Sequence, residues 1–129
     1  MAVSIVRSNP DTVRQPTGYT HAIEIRHPDR RLIVSGQVGM ALDGTIPETG
    51  GGQIDQAMAN LRAVLEANGM GAANIVKTTV FLTDRALIGA YRAARAAFLG
   101  EHAPASTLLI VSGLADPKFV VEIEAEAVD

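Results

Sequence analysis

The segment FVVEIEAEAV (119–128) ends in a strict alternation of apolar and acidic side chains. It carries two sets of residues with a period of two: apolar Phe119, Val121, Ile123 and Ala125, and acidic Glu122, Glu124 and Glu126. Only an extended strand sends alternate residues to opposite faces. The segment therefore predicts a strand with one buried face and one polar face, so the chain must fold around a sheet.

Five other segments are typical of strands. They are rich in β-branched and apolar residues and lie at 3–7, 20–26, 31–36, 74–83 and 106–114. The residues His27-Pro28-Asp29-Arg30 between the second and third segments are typical of a turn. We therefore predict that segments 20–26 and 31–36 form a hairpin.

Two segments repeat apolar residues at helical spacing. In 53–68 the stripe includes Ile54, Met58, Leu61 and Leu65, and in 85–100 it includes Leu87, Tyr91, Ala94 and Phe98. The predicted order is βββαβαββ without an internal linker, which indicates a single α+β domain over residues 1–129. We expect a mixed six-stranded sheet with both helices on one face. The second face is left uncovered, which favours a homo-oligomer.

Composition narrows the classes of function. The chain has a net charge of −3, no cysteine and no basic cluster, so we expect no nucleic-acid partner, disulfide scaffold or cysteine nucleophile. The three histidines (21, 27 and 102) lack metal-ligand spacing. No apolar run approaches the roughly 18 residues of a membrane span. We expect a soluble cytoplasmic protein that uses no metal or cofactor and does not bind membranes.

Five short motifs carry a family resemblance. They are Gly18-Tyr19-Thr20-His21-Ala22, Ser35-Gly36-Gln37, the first helix with its Gln and Asn residues, Lys77-Thr78-Thr79-Val80-Phe81 and Val121-Glu122-Ile123-Glu124-Ala125. In this order they resemble the Rid family of reactive intermediate deaminases over nearly the whole chain. The resemblance implies a chorismate-mutase-like fold and a homotrimer with ligand clefts between its subunits.

The resemblance also implies a chemistry, the hydrolysis of 2-imino or enamine acids to 2-keto acids and ammonia. The family has a glutamate on the last strand that positions or activates water, and Glu122 matches it. The family tyrosine after the N-terminal glycine matches Tyr19, and the pocket-lining Ser-Gly pair matches Ser35 and Gly36. The resemblance thus implies a catalytic role for Glu122 and substrate binding by the other three residues.

Two positions differ from the family pattern. The family grips the substrate carboxylate with an arginine in a Pro-Ala-Arg-Ser-type motif, whereas this chain has Ser106 at that position. Where typical members carry an asparagine on the second helix, this chain has Arg92, either a solvated arginine or an anion contact from another wall of the cleft. We predict that Ser106 lines the pocket, and that 2-imino acid activity is weak or altered because serine lacks the charge.

The sequence therefore predicts a trimer that binds a small polar metabolite in its inter-subunit clefts. We expect it to hydrolyse a C–N bond, as an imine or enamine deaminase-type hydrolase. The alternative is a non-catalytic metabolite-binding or regulatory trimer. A ribonuclease is a third reading, which the acidic charge balance disfavours.

Overall fold

The computed structural model describes residues 2–129, and within them the chain forms six strands and two α-helices in the predicted order. They are β1 (Ser4–Ser8), β2 (Ala22–Arg26), β3 (Arg31–Val38), α1 (Gly50–Ala67), β4 (Ile75–Leu82), α2 (Ile88–Leu99), β5 (Ala105–Ile110) and β6 (Val121–Val128). Single 3₁₀ turns, Ala72–Asn74 and Arg85–Leu87, precede β4 and α2. Neither α-helix of this part of the chain combines the length and the apolar character needed to cross a bilayer.

The larger sheet has four strands in the order β3-β6-β4-β5. Strand β6 is antiparallel to both of its neighbours, and β4 and β5 run parallel. The α+β class and the mixed character of the sheet are thus confirmed. Because β4 and β5 are parallel, the chain needs a crossover between them, and α2 provides it.

The predicted β2–β3 hairpin and the single six-stranded sheet are wrong. Strand β2 pairs with β1 in a separate antiparallel ribbon, and β3 pairs with β6. The turn at 27–30 therefore connects two sheets. Arg30 holds the end of this turn beside β6, because it forms an ion pair with Asp129 after β6 and donates to the Asn68 carbonyl at 2.9 Å.

Both helices pack on one face of the four-stranded sheet, as predicted. The apolar side chains of α1 (Ile54, Ala57, Met58, Leu61 and Leu65) share one buried cluster with the inward-facing residues of β3, β4 and β6. The Thr49 hydroxyl accepts from the Gly52 amide at the start of α1. The Asp84 carboxylate caps the turn before α2 in the same way, through the Ala86 amide.

The other face of this sheet, which we call the open face, is not covered by the described residues. Strand β6 sends Glu122, Glu124 and Glu126 to it, opposite Phe81, Thr79 and Lys77 of β4. Two apolar side chains on this face are exposed, Ile33 by 62% and Leu109 by 42%. The alternation predicted for β6 is confirmed, since Val121, Ile123 and Ala125 are buried on the helix-covered face.

Candidate functional site

An irregularity in β3 brings three of the predicted site residues together on the open face. The pairing of β3 with β6 skips between Val34, opposite Ala125, and Gln37, opposite Ile123. Ser35 and Gly36 thus form a bulge, a distortion that redirects the backbone and its side chains. Glu122 of β6 lies against this bulge. We call Ser35, Gly36 and Glu122 the open-face cluster.

Gly36 is needed where it stands because the Glu122 side chain lies directly over its backbone. A Cβ added to Gly36 would lie 2.6 Å from Glu122 Cδ and would overlap the carboxylate. The half-buried Glu122 carboxylate makes no hydrogen bond or ion pair with any residue in 2–129. Its oxygens are therefore available to a water molecule or a ligand.

Tyr19 lies in a loop that is tied to the start of β5, the edge strand of the larger sheet. The Thr20 amide donates to the Pro104 carbonyl at 3.2 Å, and the Thr20 hydroxyl donates to the Ala103 carbonyl. Tyr19 itself is half-exposed, and its ring meets the His21 ring edge to face at 5.5 Å. These contacts present the Tyr19 ring beside the first residues of β5.

Ser106 of β5 faces the helix-covered side of the sheet. Its Oγ accepts a hydrogen bond from Thr78 Oγ1 at 2.9 Å, and Thr78 in turn lies against Tyr91 of α2. Tyr91 is only 2% exposed. Burial raises the pKa of its hydroxyl, while the charge of Arg95 and the hydrogen bond with Thr78 act in the opposite direction.

The two arginines of α2 have different surroundings. Arg92 is exposed and makes no hydrogen bond or ion pair with residues 2–129. Arg95 is half-buried, with its Cζ 6.0 Å from the Tyr91 ring centroid, and its guanidinium contacts Gly18 in the Tyr19 loop. Sequence reasoning singled out Arg92. The signal for Arg95 is its position four residues after the buried Tyr91, one helical turn along the same stripe.

We call Tyr19, Arg95 and Ser106 the loop cluster. It does not meet the open-face cluster within one chain. Ser106 pairs with Thr78 and points to the helix-covered face, whereas Glu122 pairs with Phe81 and points to the open face. The strand β4 lies between β5 and β6. A single chain therefore divides the predicted site residues between two places.

A large cavity involves neither cluster. It has a volume of about 590 Å³ and is lined by loop residues 44–48 with Gln53 and Lys118. The Gln53 amide donates to two backbone carbonyls and accepts from the Val120 amide, so its polar atoms serve the fold. Residues 2–129 also contain no group of three or more His, Asp or Glu side chains arranged to hold a metal ion.

A protein-family model described as Endoribonuclease L-PSP matches residues 11–129. The chain therefore belongs to this family, also called the Rid family. Among solved structures, a Rid-family protein of unknown function from Yersinia pestis, YyfB, superposes with a TM-score of 0.85 at 30% identity, covering 99% of both chains. The family assignment that the motifs indicated is confirmed.

Relatives with named activities show the same membership. A 2-iminobutanoate/2-iminopropanoate deaminase of Escherichia coli K12 is 38% identical over 75% of this chain and 78% of its own length. The rat protein of the same name is 34% identical over 97% of this chain and 92% of its own. The structure of Escherichia coli TdcF with bound serine has a TM-score of 0.73 at 30% identity, covering 78% of this chain and 82% of that one.

Proposed function

We propose that this protein hydrolyses a C–N bond of a small imine or enamine metabolite, in clefts formed between the subunits of a homotrimer. The observation that carries the proposal is the Glu122 carboxylate, held over the bare backbone of Gly36 with its oxygens unpaired. The names of the relatives support the reaction type. We further expect a cytoplasmic enzyme that needs neither a metal nor a cofactor.

The division of the site residues supports the assembly. A small ligand cannot contact both Glu122 and Ser106 of the same chain, because these side chains lie on opposite faces of the sheet. A second copy that covers the open face would supply the missing half of each site. Oligomers with closed symmetry repeat such a contact at every interface. Three copies would then have three equivalent clefts.

The chemistry needs one base and one polar pocket. Glu122 accepts a proton from a water molecule as the water oxygen adds to the imine carbon. It returns this proton to the nitrogen, which gives an amino alcohol. A proton then moves from the new hydroxyl group to the nitrogen, and the C–N bond breaks to release ammonia and leave a carbonyl product. Ser35 and the exposed backbone at Gly36 would orient the substrate, and Tyr19 and Ser106 of the neighbouring copy would close the pocket.

The variant Glu122→Gln tests this role. It keeps the size and polarity of the side chain but removes the base, so hydrolysis of freshly generated 2-iminobutanoate should fall at least tenfold, measured as ammonia or keto-acid release above buffer. The matched control is Glu124→Gln on the same strand and face, which should retain activity. Equal activity of the two variants per folded trimer would contradict the role of Glu122.

The mass in solution tests the assembly. Light scattering at micromolar concentration should give about three times the 13.5 kDa chain mass. A monodisperse monomer would remove both the trimer and the shared cleft.

Ser106 motivates the expectation that 2-imino acid hydrolysis is weak or altered. Its hydroxyl has a partner in Thr78 and no charge with which to hold a carboxylate. The variant Ser106→Arg should raise the hydrolysis rate, because a guanidinium at the start of β5 can hold a carboxylate at two points. We expect Arg92 to contact an anion from α2, where it would repel a second guanidinium. A second variant therefore combines Ser106→Arg with Arg92→Asn. Robust hydrolysis by the natural sequence would contradict this expectation.

The alternative function is a trimer that binds a metabolite without turning it over. The TdcF structure with bound serine supports ligand binding in a relative, and the uncharged Ser106 would suit binding without turnover. A folded trimer that binds a keto acid but releases no ammonia from any imino acid would favour this alternative.

A further inference from the structure

The Arg95 guanidinium is partly enclosed and has no hydrogen-bond acceptor among residues 2–129. None of its nitrogens lies within 4.0 Å of a carboxylate oxygen among residues 2–129, where the ion pairs are Arg26–Glu24, Arg30–Asp129 and Arg31–Glu126. Its contact with the Tyr91 ring is a cation–π contact, which leaves the N–H donors of the guanidinium without an oxygen acceptor. A half-buried guanidinium with free donors can bind a ligand that offers oxygen acceptors.

The surroundings of Arg95 form a small cavity rather than a flat surface. The cavity has a volume of about 100 Å³ and is lined by Gly18, the end of α2 and residues 100–103. It lies directly beside Tyr19 and the backbone groups that tie the Tyr19 loop to β5. A single water needs only about 10–15 Å³, so a group larger than water fits.

Gly18 permits this arrangement for two reasons. Its φ of +77° is a conformation that side-chain-bearing residues rarely adopt, and a Cβ at this position would lie 2.8 Å from Arg95 Cζ. The loop therefore approaches the guanidinium more closely than any other residue type would allow. Arg95 and the Tyr19 loop form one continuous wall of the loop cluster.

The charges around the cavity indicate what it binds. Arg95 contributes one positive charge, and Glu101 at the rim contributes a negative charge but no ion pair with Arg95. The His102 ring is already engaged, because Nε2 lies 2.6 Å from the Ile75 carbonyl oxygen and Nδ1 lies 3.1 Å from Arg7 Nη2. The free donors of the Arg95 guanidinium suit a carboxylate, which they can hold at two points.

We infer that Arg95 binds an anion and holds the carboxylate of a small 2-keto, 2-imino or 2-amino acid against the Tyr19 loop. The inference rests on the proposed function for the identity of the ligand class. In this arrangement α2 supplies the positive charge for the ligand carboxylate, which the uncharged Ser106 of β5 cannot supply. Arg95 thereby determines specificity, because an uncharged analogue gains nothing from the guanidinium.

The test uses the full-length protein and two probes, 2-oxobutanoate and its uncharged amide, in calorimetric titrations. Arg95→Gln should weaken 2-oxobutanoate binding by roughly 10- to 100-fold, the effect of losing a charge-assisted hydrogen bond. It should leave binding of the amide unchanged. Arg62→Gln is the matched control, because the Arg62 guanidinium also lies over an aromatic ring, 5.1 Å from the Phe98 ring centroid, and it should change neither affinity by more than about twofold.

Two further variants separate charge from packing. Arg95→Lys keeps the charge and should bind 2-oxobutanoate more tightly than Arg95→Gln, and Glu101→Gln should tighten binding because it removes a competing carboxylate. Thermal unfolding and light scattering confirm that each variant folds and assembles. Equal binding by the natural sequence and Arg95→Gln, loss on Arg62→Gln alone, or no preference for 2-oxobutanoate over the amide would each overturn the inference.

Failure of the inference is distinguishable from failure of the proposed function. If 2-oxobutanoate binding depends on Arg95 while no imino acid is hydrolysed, Arg95 keeps its role and the hydrolase function fails. If imino acids are hydrolysed with the same KM in Arg95→Gln as in the natural sequence, the hydrolase function stands and the role of Arg95 fails. A raised KM with an unchanged kcat supports both.

Discussion

The two faces of the four-stranded sheet come from the same strands and differ sharply. On the helix-covered face Val34, Val80, Ile123 and Ala125 are all exposed by 4% or less. On the open face the same strands present glutamates, Lys77, two threonines and exposed Ile33 and Leu109. The chain covers one face with its own helices, and the proposed assembly would cover the other. Glu122, the unpaired carboxylate of the proposed site, lies on the open face.

The largest expected effect is on the free energy of unfolding. It is measured at two neighbouring residues of β6 that point to opposite faces. Ile123→Ala removes a side chain that is 1% exposed under the helices and should lower the free energy of unfolding by about 2–5 kcal/mol. Glu124→Ala on the open face should change it by no more than about 0.5 kcal/mol. Denaturant unfolding measures both. Similar losses for the two variants would show that the faces do not differ in this way.

A charge on the open face should act on assembly rather than on folding. Leu109→Glu should dissociate the proposed trimer at micromolar concentration, because that assembly would bury the new carboxylate against the next subunit at a cost of on the order of 2 kcal/mol or more. The matched control is Leu42→Glu, since Leu42 is fully exposed in a loop and that variant should stay trimeric. Sedimentation velocity distinguishes the two. An intact Leu109→Glu trimer would place the interface elsewhere.

The open-face cluster depends on the missing side chain of Gly36. Gly36→Ala should displace the Glu122 carboxylate and reduce hydrolysis at least tenfold, or about 1.4 kcal/mol in the activation free energy. Gly113→Ala, where a Cβ meets nothing within 4 Å, is the control and should retain activity. Steady-state kinetics at matched protein concentrations measure the difference. Full activity in Gly36→Ala would show that hydrolysis does not depend on the position of Glu122 over Gly36.

The smallest expected effect concerns Tyr91, a polar group on the covered face. Burial raises its pKa in the folded state, so its protonated hydroxyl contributes stability that is complete below the unfolded pKa of about 10. That contribution falls as the pH rises from there toward the folded-state pKa, by less than about 1 kcal/mol at pH 10.5. Tyr91→Phe should flatten this alkaline decline, measured by unfolding between pH 8 and 10.5.

The control for that measurement is Tyr19→Phe, which replaces the half-exposed tyrosine of the loop cluster. It should leave the decline in place. A slope that disappears in Tyr19→Phe and persists in Tyr91→Phe would contradict the assignment.

Sequence patterns predicted the faces of the elements better than the partners of the strands. The alternation in β6 and the apolar stripes of α1 and α2 decide which side chains are buried, and the structure confirms them. The pairing of β2 was predicted wrongly because a local turn signal at 27–30 says nothing about distant strands. The true partners are β1 for β2 and β6 for β3, the latter more than 80 residues away.

The candidate site shows the same division. Ser35, Gly36 and Glu122 were named from a family resemblance, and the structure places them together through a bulge that no local pattern indicates. Arg95 was passed over for Arg92, although helical spacing from Tyr91 favours it. What separates the two arginines is the approach of the Gly18 loop, a contact across 77 residues of chain. Such contacts follow from the complete fold.

Strand β6 lies in the middle of the sheet although it is the last strand in the chain. Strands β3 and β4 do not pair with each other, and both pair with β6. The ribosome therefore synthesises their shared partner after both of them. At about 5–20 residues per second, the β3 edge is without its partner for several seconds. Until β6 has been made, β3 can pack against α1, but the backbone groups along its edge have no strand of this sheet to pair with.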